Sequence, residues 1–328
     1  MKILFLHRAK SFGGHSFEEL FSTIKSSLLS FNTIEVTNFY DKTYTSFWEN
    51  LKAIKKIKCD VIHITGGVGY YALFLPTAKT VLTIHDTNHY EFDLKGIKKW
   101  LYGWIIYKLP IKNVNHVTTV SEHTKNNLIR FFNINEHKIK VIPNCYPAEF
   151  KPVVKEDFSN PVRILQIGTK ANKNIPQLIK AIKQLNVELT IIGKLNDELK
   201  NTLNQHKINF VNKTNLSRSE IYQEYIHTDI VAFVSLREGF GLPIIEANAI
   251  GRSVISSNLS SMPEVAGNAA HLVNPHNIEA IKNGFIKLIN ENEYRTQLIE
   301  NGWKNAQLYT PEIIAEQYQL LYTEIITS

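Results

Sequence analysis

The sequence predicts an α/β fold of two doubly wound parallel-sheet domains that face each other across a cleft. Short strand-like runs alternate with amphipathic helical patterns along the 328 residues, as is typical of successive βαβ units. The run at 230–234 is continuously apolar, like a strand covered by helices on both faces. A proline-rich stretch at 143–161 interrupts the alternation and predicts a linker between the two domains.

The elements follow from runs of β-branched residues and from apolar residues that recur every three or four positions. Before the linker, strands are predicted at 3–6, 33–38, 60–65, 80–85, 116–121 and 138–142, and helices at 16–30, 47–58 and 121–132. After it, strands are predicted at 162–167, 188–192, 208–211, 229–234, 253–256 and 269–273, and helices at 175–185, 197–205, 219–226, 243–250, 277–290, 292–308 and 311–327. The last helix has an apolar face that needs a partner surface.

The composition is that of an ordinary globular chain. A hydrophobic content of 44% with 20% charged residues excludes a disordered protein. The two cysteines, Cys59 and Cys145, have no metal-ligand spacing and favour a reducing compartment. No apolar run approaches the ~20 residues that span a bilayer. We therefore expect a cytoplasmic protein.

The net charge of +7 lies in the first 150 residues, which carry 19 basic and 12 acidic residues, whereas the rest carry 18 of each. This asymmetry favours an anionic partner, with a solubilising surface as the alternative. Residues 95–112 interleave lysines with Trp100, Tyr102, Trp104 and Tyr107, as interfacial helices do, although a packing helix would look similar. We expect a peripheral contact between this helix and an anionic membrane. Nucleic acid is not expected, because no recognised binding motif occurs.

The most informative stretch is 229–251, where an apolar strand leads through Arg237–Leu242 into a helix that begins at Pro243. Gly239 and Gly241 permit a sharp turn and close approach of a ligand to the backbone, and the helix N-terminus favours anions. Ligands of open α/β sheets bind at such carboxyl edges. The stretch therefore predicts one wall of a phosphate-containing ligand site.

Three other loops fall at carboxyl edges of predicted strands. Gly13-Gly14 precedes the first helix, but it matches neither a dinucleotide-binding fingerprint nor a P-loop. His85 ends a strand, and a metal role with His89 is disfavoured because no further ligands complete a site. Gly168 is followed by Lys170 and Lys173, whose charges can neutralise a diphosphate.

Glu238 and Glu246, which stand eight positions apart in REGFGLPIIEA, resemble the Glu-x7-Glu signature of glycosyltransferase family 4. The resemblance extends through SEHTKNNL, VIPN, IGTKANKN and PEVAGNAAHLV, so it covers nearly all of the second half. It implies a retaining enzyme of the GT-B fold that uses a nucleotide sugar. The domains would be 1–148, on the acceptor side, and 149–309, which binds the donor. Residues 310–328 would form a helix that packs back on the first domain.

The resemblance also implies roles for individual residues. Glu246 would bind the ribose hydroxyls, and Glu238 would hold the transferred sugar near the reacting carbon. The backbone at Gly239, Phe240, Gly241 and Leu242 would meet the diphosphate or the sugar. Lys173 would bind phosphate, Gly13 and Gly14 would close over the phosphates, and His85 would line the donor sugar.

One departure is that Thr169-Lys170 stands where the family has an arginine after the glycine at Gly168. Lys170 can supply the charge but not a bidentate guanidinium contact. No Asp-x-Asp motif occurs, and the family uses no divalent metal, so neither metal nor cofactor is expected.

The resulting hypothesis is a hexosyltransferase that uses a UDP- or GDP-sugar. Its acceptor would be a glycan or a lipid-linked sugar in surface polysaccharide or glycolipid synthesis, at the inner face of the membrane. Two alternatives remain open. A GT-B-fold sugar-nucleotide epimerase would need further carboxylates, and a non-catalytic GT-B subunit would not need Glu238, Glu246, Lys173 and His85 intact.

Overall fold

The structure of the chain is a computed structural model, and it describes residues 1–9, 16–31, 33–41, 46–155 and 157–327. The chain divides into two compact units. The first unit combines Met1–Pro147 with Thr310–Ser328, and the second is Ala148–Tyr309. The sequence analysis had placed these boundaries after residues 148 and 309.

In the first unit, six strands of the described residues form one parallel sheet in the order β2-β1-β3-β4-β5-β6. The strands are β1 Lys2–His7, β2 Glu35–Tyr40, β3 Val61–Ile64, β4 Thr80–Ile84, β5 His116–Thr119 and β6 Ile139–Val141. The helices are α1 Ser16–Leu29, α2 Phe47–Lys56, α3 Gly96–Tyr102, α4 Leu109–Asn113, α5 Glu122–Phe132 and, from the end of the chain, α13 Pro311–Thr327. Short 3-10 turns occur at Gly69–Leu73 and Glu136–Lys138, and π-helical turns at His89–Asp93 and Gly103–Lys108.

Helices cover both faces of this sheet. One face packs on α2, α4 and α5, and the other on α1 and α13. This double covering explains why β3 and β4 are wholly buried. On the second face the ring of Tyr318 in α13 lies 5.9 Å from that of Phe21 in α1.

The segment predicted as a helix at 95–112 is helical from Gly96 to Asn113, as α3, a π-helical turn and α4 in direct succession. Gly103 and Leu109, at the two junctions, keep right-handed helical dihedral angles, so the helix widens locally and is not interrupted. Pro110 has no N–H to donate to the preceding turn. A Cβ at Gly103 would lie 2.6 Å from a ring carbon of Tyr90 and 2.9 Å from one of Phe132, so close packing requires glycine where the π-helical turn begins.

In the second unit, six strands among the described residues form a parallel sheet in the order β12-β11-β10-β7-β8-β9. They are β7 Val162–Ile167, β8 Val187–Ile192, β9 Phe210–Lys213, β10 Ile230–Phe233, β11 Ser253–Ser257 and β12 His271–Val273. The helices are α6 Ile175–Ile182, α7 Asp197–Gln205, α8 Arg218–His227, α9 Leu242–Ile250, α10 Met262–Ala266, α11 Ile278–Asn290 and α12 Asn292–Ala306, with 3-10 turns at Ala171–Lys173 and Gln307–Tyr309.

The largest errors in the predicted strands fall at sheet edges. β2 and β9 each begin two residues later than predicted, and both pair on one side only. Their residues are mostly half-exposed, so their apolar pattern does not mark where pairing starts. The sequence analysis missed α10, since five residues are too few to show a helical period.

Each sheet has a point at which the strand order reverses. In the second unit, β7 leads to β8 and β9 on one side, whereas the chain returns to β10 on the other side of β7. In the first unit, the reversal falls between β1 and β3. The crevice at the carboxyl ends of such a strand pair is the usual ligand site of an open α/β sheet.

No helix in the described part of the chain combines the length and the hydropathy that a membrane span requires.

The buried His63 in β3 ties α13 to the first sheet. Its Nδ1 lies 2.6 Å from the hydroxyl of Tyr322, and its Nε2 lies 2.6 Å from that of Thr83. We expect Tyr322→Phe to lower the free energy of unfolding by about 1–3 kcal/mol, because it leaves a buried ring nitrogen without its partner. Urea unfolding followed by fluorescence checks this. The exposed Glu316→Gln on the same helix is the control, and equal stability of the two variants would contradict the expectation.

Candidate active site

Lys173 and Glu238 meet at the strand reversal of the second sheet. Lys173 follows β7 and Glu238 follows β10, and Lys173 Nζ lies 2.8 Å from Glu238 Oε1. Both side chains are 17% exposed, so the pair is accessible but largely out of bulk water. Asn172 Nδ2 donates to the same Glu238 oxygen at 3.1 Å. Lys173 and Glu238, which the sequence predicts to bind the same nucleotide sugar, are therefore in direct contact.

The backbone at Gly168 makes room for the side chain of Lys173. Gly168 has φ +84°, and a Cβ there would lie 2.9 Å from Lys173 Cε. The space that the sequence analysis assigned to a close ligand is thus occupied by the lysine itself. The ammonium also lies 4.6 Å from the centre of the Phe233 ring, which adds a cation–π attraction. The cation is held in place before any ligand binds.

Two asparagines fasten the loop after β7 to the end of β10. The amide of Leu236 donates to Asn172 O at 2.8 Å. Asn174, in a left-handed conformation, uses its side-chain amide to donate to Val234 O at 3.1 Å and to Pro275 O at 2.8 Å. These buried hydrogen bonds position both loops without any charged group, and so preserve the geometry of the Lys173–Glu238 pair.

Ser261 stabilises the turn from Glu238 to Leu242 by hydrogen bonds to two of its carbonyls. Its hydroxyl lies 2.7 Å from Phe240 O and 3.1 Å from Glu238 O. Gly241, with φ +124°, caps α9 in a conformation that favours glycine. The backbone amides of the turn thus lead directly into the positive end of α9. Gly239 lies within this turn and is half-exposed.

Glu246 lies one turn into α9 and is fixed by a tyrosine. The hydroxyl of the fully buried Tyr225 donates to Glu246 Oε2 at 2.5 Å. Burial, followed by the neighbouring carboxylate, raises the pKa of Tyr225 well above its usual value, so the phenol stays a donor. Tyr225 is itself tied down, because Arg252 donates to its carbonyl at 3.1 Å. Glu246 thus presents a fixed carboxylate.

The other predicted donor residues are placed as follows. Lys170 is exposed and begins the 3-10 turn that carries Lys173. The hydroxyl of Thr169, at the position of the family arginine, donates to Lys194 O at 2.8 Å. Gly13 and Gly14 lie outside the described residues. Among the described residues, no group of three or more His, Cys, Asp and Glu side chains could hold a metal ion.

His85 lies in the first unit, at the carboxyl end of β4. Its Nε2 is 2.7 Å from the carbonyl of Thr65, and since a carbonyl only accepts, Nε2 carries the hydrogen. Burial lowers the pKa of His85 to about 4, so the ring is neutral near pH 7. This tautomer leaves Nδ1 as a hydrogen-bond acceptor, which suits a role in binding hydroxyl groups better than one as an acid.

The sequence analysis missed Asn172, Asn174, Tyr225 and Ser261. Asn172 and Asn174 lie within the IGTKANKN stretch that was singled out for its lysines, so attention to amide side chains could have found them. Tyr225 and Ser261 are distant in the sequence from the residues that they contact, and no local pattern distinguishes them.

The model of "Glycosyltransferase Family 4" matches residues 29–150, and that of "Glycosyl transferases group 1" matches residues 149–305. The O-antigen chain mannosyltransferase RfbU of Salmonella typhimurium is 27% identical over 70% of this chain and 65% of its own length. The MMP alpha-(1->4)-mannosyltransferase of Mycolicibacterium hassiacum is 23% identical over 87% of this chain and 75% of its own length.

Among solved structures, the chain resembles Anabaena Alr3699/HepE in complex with UDP and glucose. The TM-score is 0.79, at 18% identity over 99% of this chain and 100% of that one. The two parallel sheets and this likeness show the GT-B fold. With the two family models on either side of residue 149, the chain belongs to glycosyltransferase family 4. The predicted fold and family are confirmed, whereas the roles of Glu238 and Glu246 stay predictions.

The neutral state of His85 predicts acid sensitivity. In the unfolded chain the ring binds a proton below pH 6.5, but in the folded chain only below about pH 4. Stability is therefore lost as the pH falls through this window, by about 2 kcal/mol at pH 5 relative to pH 8 for this group. We expect His85→Gln, whose amide can still donate to Thr65 O, to reduce the loss by about that amount. The measurement is urea unfolding at both pH values.

The control for this experiment is His137→Gln, because His137 is an exposed histidine of the same unit. It should keep the pH dependence of the parent chain. Tryptophan fluorescence suits the measurement, since Trp48, Trp100 and Trp104 all lie in the first unit. A His85→Gln variant as acid-sensitive as the parent would show that His85 is charged in the folded state.

Proposed function

We propose that this glycosyltransferase moves a hexose, with retention of configuration and without a divalent metal, from a UDP- or GDP-sugar. The acceptor is a glycan or lipid-linked sugar in the synthesis of surface polysaccharide or glycolipid, on the cytoplasmic side of the membrane. The observation that carries the proposal is the Lys173–Glu238 pair, 2.8 Å apart, beside the N-terminus of α9 at the strand reversal.

This arrangement suits a nucleoside diphosphate. Lys173 supplies a positive charge for the diphosphate, and the turn at Gly241 adds amides and the positive end of α9. Glu246, held by Tyr225 at 2.5 Å, can accept hydrogen bonds from two vicinal ribose hydroxyls. Lys173 and the positive end of α9 supply the positive charge that a metal provides in other nucleotide-sugar enzymes.

The chemistry requires stabilisation of a leaving diphosphate. As the bond from the sugar C1 to the phosphate oxygen breaks, negative charge grows on the diphosphate, where Lys173 and the α9 amides stabilise it. The acceptor oxygen bonds to C1 on the same face, and its proton passes to the departing phosphate oxygen. Glu238 then holds a sugar hydroxyl rather than acting as a nucleophile. Because Glu246 is occupied by Tyr225 and ribose, no glycosidase-like carboxylate pair remains.

Donor binding must change the partner of Lys173. In the structure the ammonium neutralises Glu238, so an incoming diphosphate competes with that carboxylate. The Asn172 hydrogen bond at 3.1 Å can hold Glu238 when the lysine turns toward phosphate. Binding of the donor and release of Glu238 toward the sugar are thereby coupled.

The relatives support a hexose donor. RfbU and the Mycolicibacterium enzyme are named as mannosyltransferases, and the Anabaena structure holds UDP and glucose. We therefore place GDP-mannose and UDP-glucose first in a panel of donors. The assay is release of nucleoside diphosphate in the presence of the purified protein, and a panel without any turnover would contradict the proposal.

Substitutions of Glu246 and Glu238 should have different effects on donor binding and on turnover. Glu246→Gln should weaken binding of the nucleoside diphosphate about tenfold, because the ribose loses charge-assisted hydrogen bonds. Glu238→Gln should bind the nucleotide as well as the parent or better, since Lys173 is released, but lower kcat by about 10²-fold or more. Isothermal titration calorimetry and initial rates measure these two effects.

The matched control is Glu224→Gln. Glu224 pairs with Lys213 at 2.6 Å in the same unit, so this variant also breaks a lysine–glutamate pair but away from the site. It should change neither nucleotide affinity nor kcat. If Glu238→Gln loses affinity and Glu246→Gln loses only kcat, the two assignments are reversed.

We also propose that the 95–112 surface contacts an anionic membrane. α3 has no buried residue, and Ile97, Trp100 and Leu101 are 80%, 58% and 50% exposed. Lys95 and Lys98 are exposed beside them. Apolar side chains flanked by lysines suit the boundary between headgroups and acyl chains of an anionic bilayer. Such a contact would bring a lipid-linked acceptor to the first unit.

Liposome flotation tests this contact. We expect the parent to bind phosphatidylglycerol vesicles and not pure phosphatidylcholine ones. Lys95→Glu, Lys98→Glu and Lys112→Glu together should reduce binding about tenfold or more, at ~1 kcal/mol per cation near the surface. The control places the same charge changes on exposed lysines of the second unit, at Lys180, Lys183 and Lys304. Equal losses from both sets would mean that net charge, not this surface, drives binding.

A further inference from the structure

A groove of about 810 Å³ opens on the second unit between α6, the start of α11 and the end of α7. Its volume falls within the range of small-molecule sites, ~300–1,000 Å³. Of the residues that line it, Ile278 is apolar and the others are polar or charged. The described residues of this lining do not include Lys173, Glu238 or Glu246, so the groove is distinct from the candidate active site.

Three lysines give this groove an excess of positive charge. Lys180 and Lys183 lie at the end of α6, and Lys282 lies in the second turn of α11. Among the described residues, no carboxylate forms an ion pair with any of the three. The lining includes one acidic residue, Glu279, and the sequence has none from 158 to 187, so α6 contributes no counter-charge. The groove is therefore attractive to anions.

The side-chain amides of the groove use their oxygens within the protein. Asn274 and Asn277 each accept a backbone amide through Oδ1 at 3.0 Å, and Gln184 accepts from Lys282 through Oε1 at 3.3 Å. Each of these side chains keeps its NH2 group as a hydrogen-bond donor. Together with the lysines, these donors favour a ligand that is rich in acceptor oxygens.

The start of α11 adds less to this attraction than the lysines do. Asn277 caps the helix by accepting the amide of Ala280, and Glu279 lies in its first turn. The cap occupies one of the amides at the helix end, and the carboxylate opposes the positive end of the helix dipole. The lysine side chains, and not the helix N-terminus, therefore supply most of the charge for an anion.

We propose that this groove binds a small molecule with two or more phosphoryl groups, such as a sugar bisphosphate or a short polyphosphate. Phosphoryl oxygens are charged and accept hydrogen bonds, as the donor-rich lining requires. The lysines come from two helices, and the volume exceeds the need of one phosphate ion, so each of two phosphoryl groups can meet an ammonium group. This inference goes beyond the proposed function, and neither depends on the other.

Isothermal titration calorimetry with inorganic tripolyphosphate and glucose 1,6-bisphosphate tests the groove. We expect the parent chain to bind both probes about tenfold more tightly than orthophosphate, because only these probes can contact lysines of both helices at once. Absence of binding by both probes, or an affinity no higher than that for orthophosphate, would overturn the proposal.

The groove variant carries Lys180→Gln, Lys183→Gln and Lys282→Gln, which keep polar side chains but remove the charge. It should bind both probes about tenfold or more weakly than the parent, since three ammonium groups are lost. Lys183→Glu alone, at an exposed position, reverses one charge and should weaken binding about fivefold. Parent affinity in both variants, each with the parent's melting temperature, would contradict the assignment.

Two comparison variants locate the bound probe. Lys173→Gln removes the cation of the candidate active site and should keep the parent's affinity. If it loses affinity while the groove variant keeps it, the probes bind in the active site and the proposal fails. The matched control removes three charges from exposed lysines elsewhere in the second unit, at Lys151, Lys200 and Lys304. Equal losses from the groove and control sets would mean that net charge, not the groove, attracts the probes.

Vesicle flotation distinguishes a free phosphate compound from a lipid headgroup. The groove variant should behave like the parent with phosphatidylglycerol vesicles, because the groove is proposed to hold a small molecule in solution. Weaker flotation of the groove variant than of the control set would assign these lysines to a membrane surface and overturn the proposal.

Discussion

The candidate active site depends on the pairing of β7 with β10. Ile164 lies opposite Ile230 and Leu165 opposite Val231, although more than sixty residues separate the two strands in the chain. This register brings the loop that carries Lys173 beside the turn that carries Glu238. A shift of one residue would turn each side chain to the opposite face of the sheet. Asn172, which is half-buried, and Asn174, which is buried, then hold the two loops together.

The Lys173–Glu238 pair is a charged contact that a ligand can rearrange. A fully buried ion pair is costly to break, and a fully exposed one contributes little. At 17% exposure for each side chain, the pair lies between these limits. The pair is therefore firm enough to order the two loops and exposed enough for an anionic ligand to reach it.

The first unit holds its buried polar groups by hydrogen bonds. His63 and His85 are buried, and burial lowers the pKa of each. Their hydrogen bonds go to hydroxyls and to a carbonyl. The buried Asp41 carboxylate accepts from the hydroxyls of Tyr70 and Tyr71. Each of these groups therefore has a partner inside the protein that replaces water.

The sequence by itself determined the alternation of strands and helices and the two-domain organisation. It also determined the loops that hold Lys173 and Glu238 and the helix that holds Glu246. Buried parallel strands are continuous apolar runs, and strand-to-helix turns need glycine or proline, so both leave local patterns. The bounds of the edge strands β2 and β9 were predicted less accurately, because their half-exposed residues form no apolar pattern that marks where pairing starts.

Only the tertiary structure decided which side chains touch. It paired Lys173 with Glu238, Glu246 with Tyr225 and His85 with the carbonyl of Thr65. It also placed the π-helical turn of the 95–112 segment at a glycine packed against Tyr90 and Phe132. These contacts join residues that are distant in the chain, and they depend on strand order and packing. No local periodicity encodes that information.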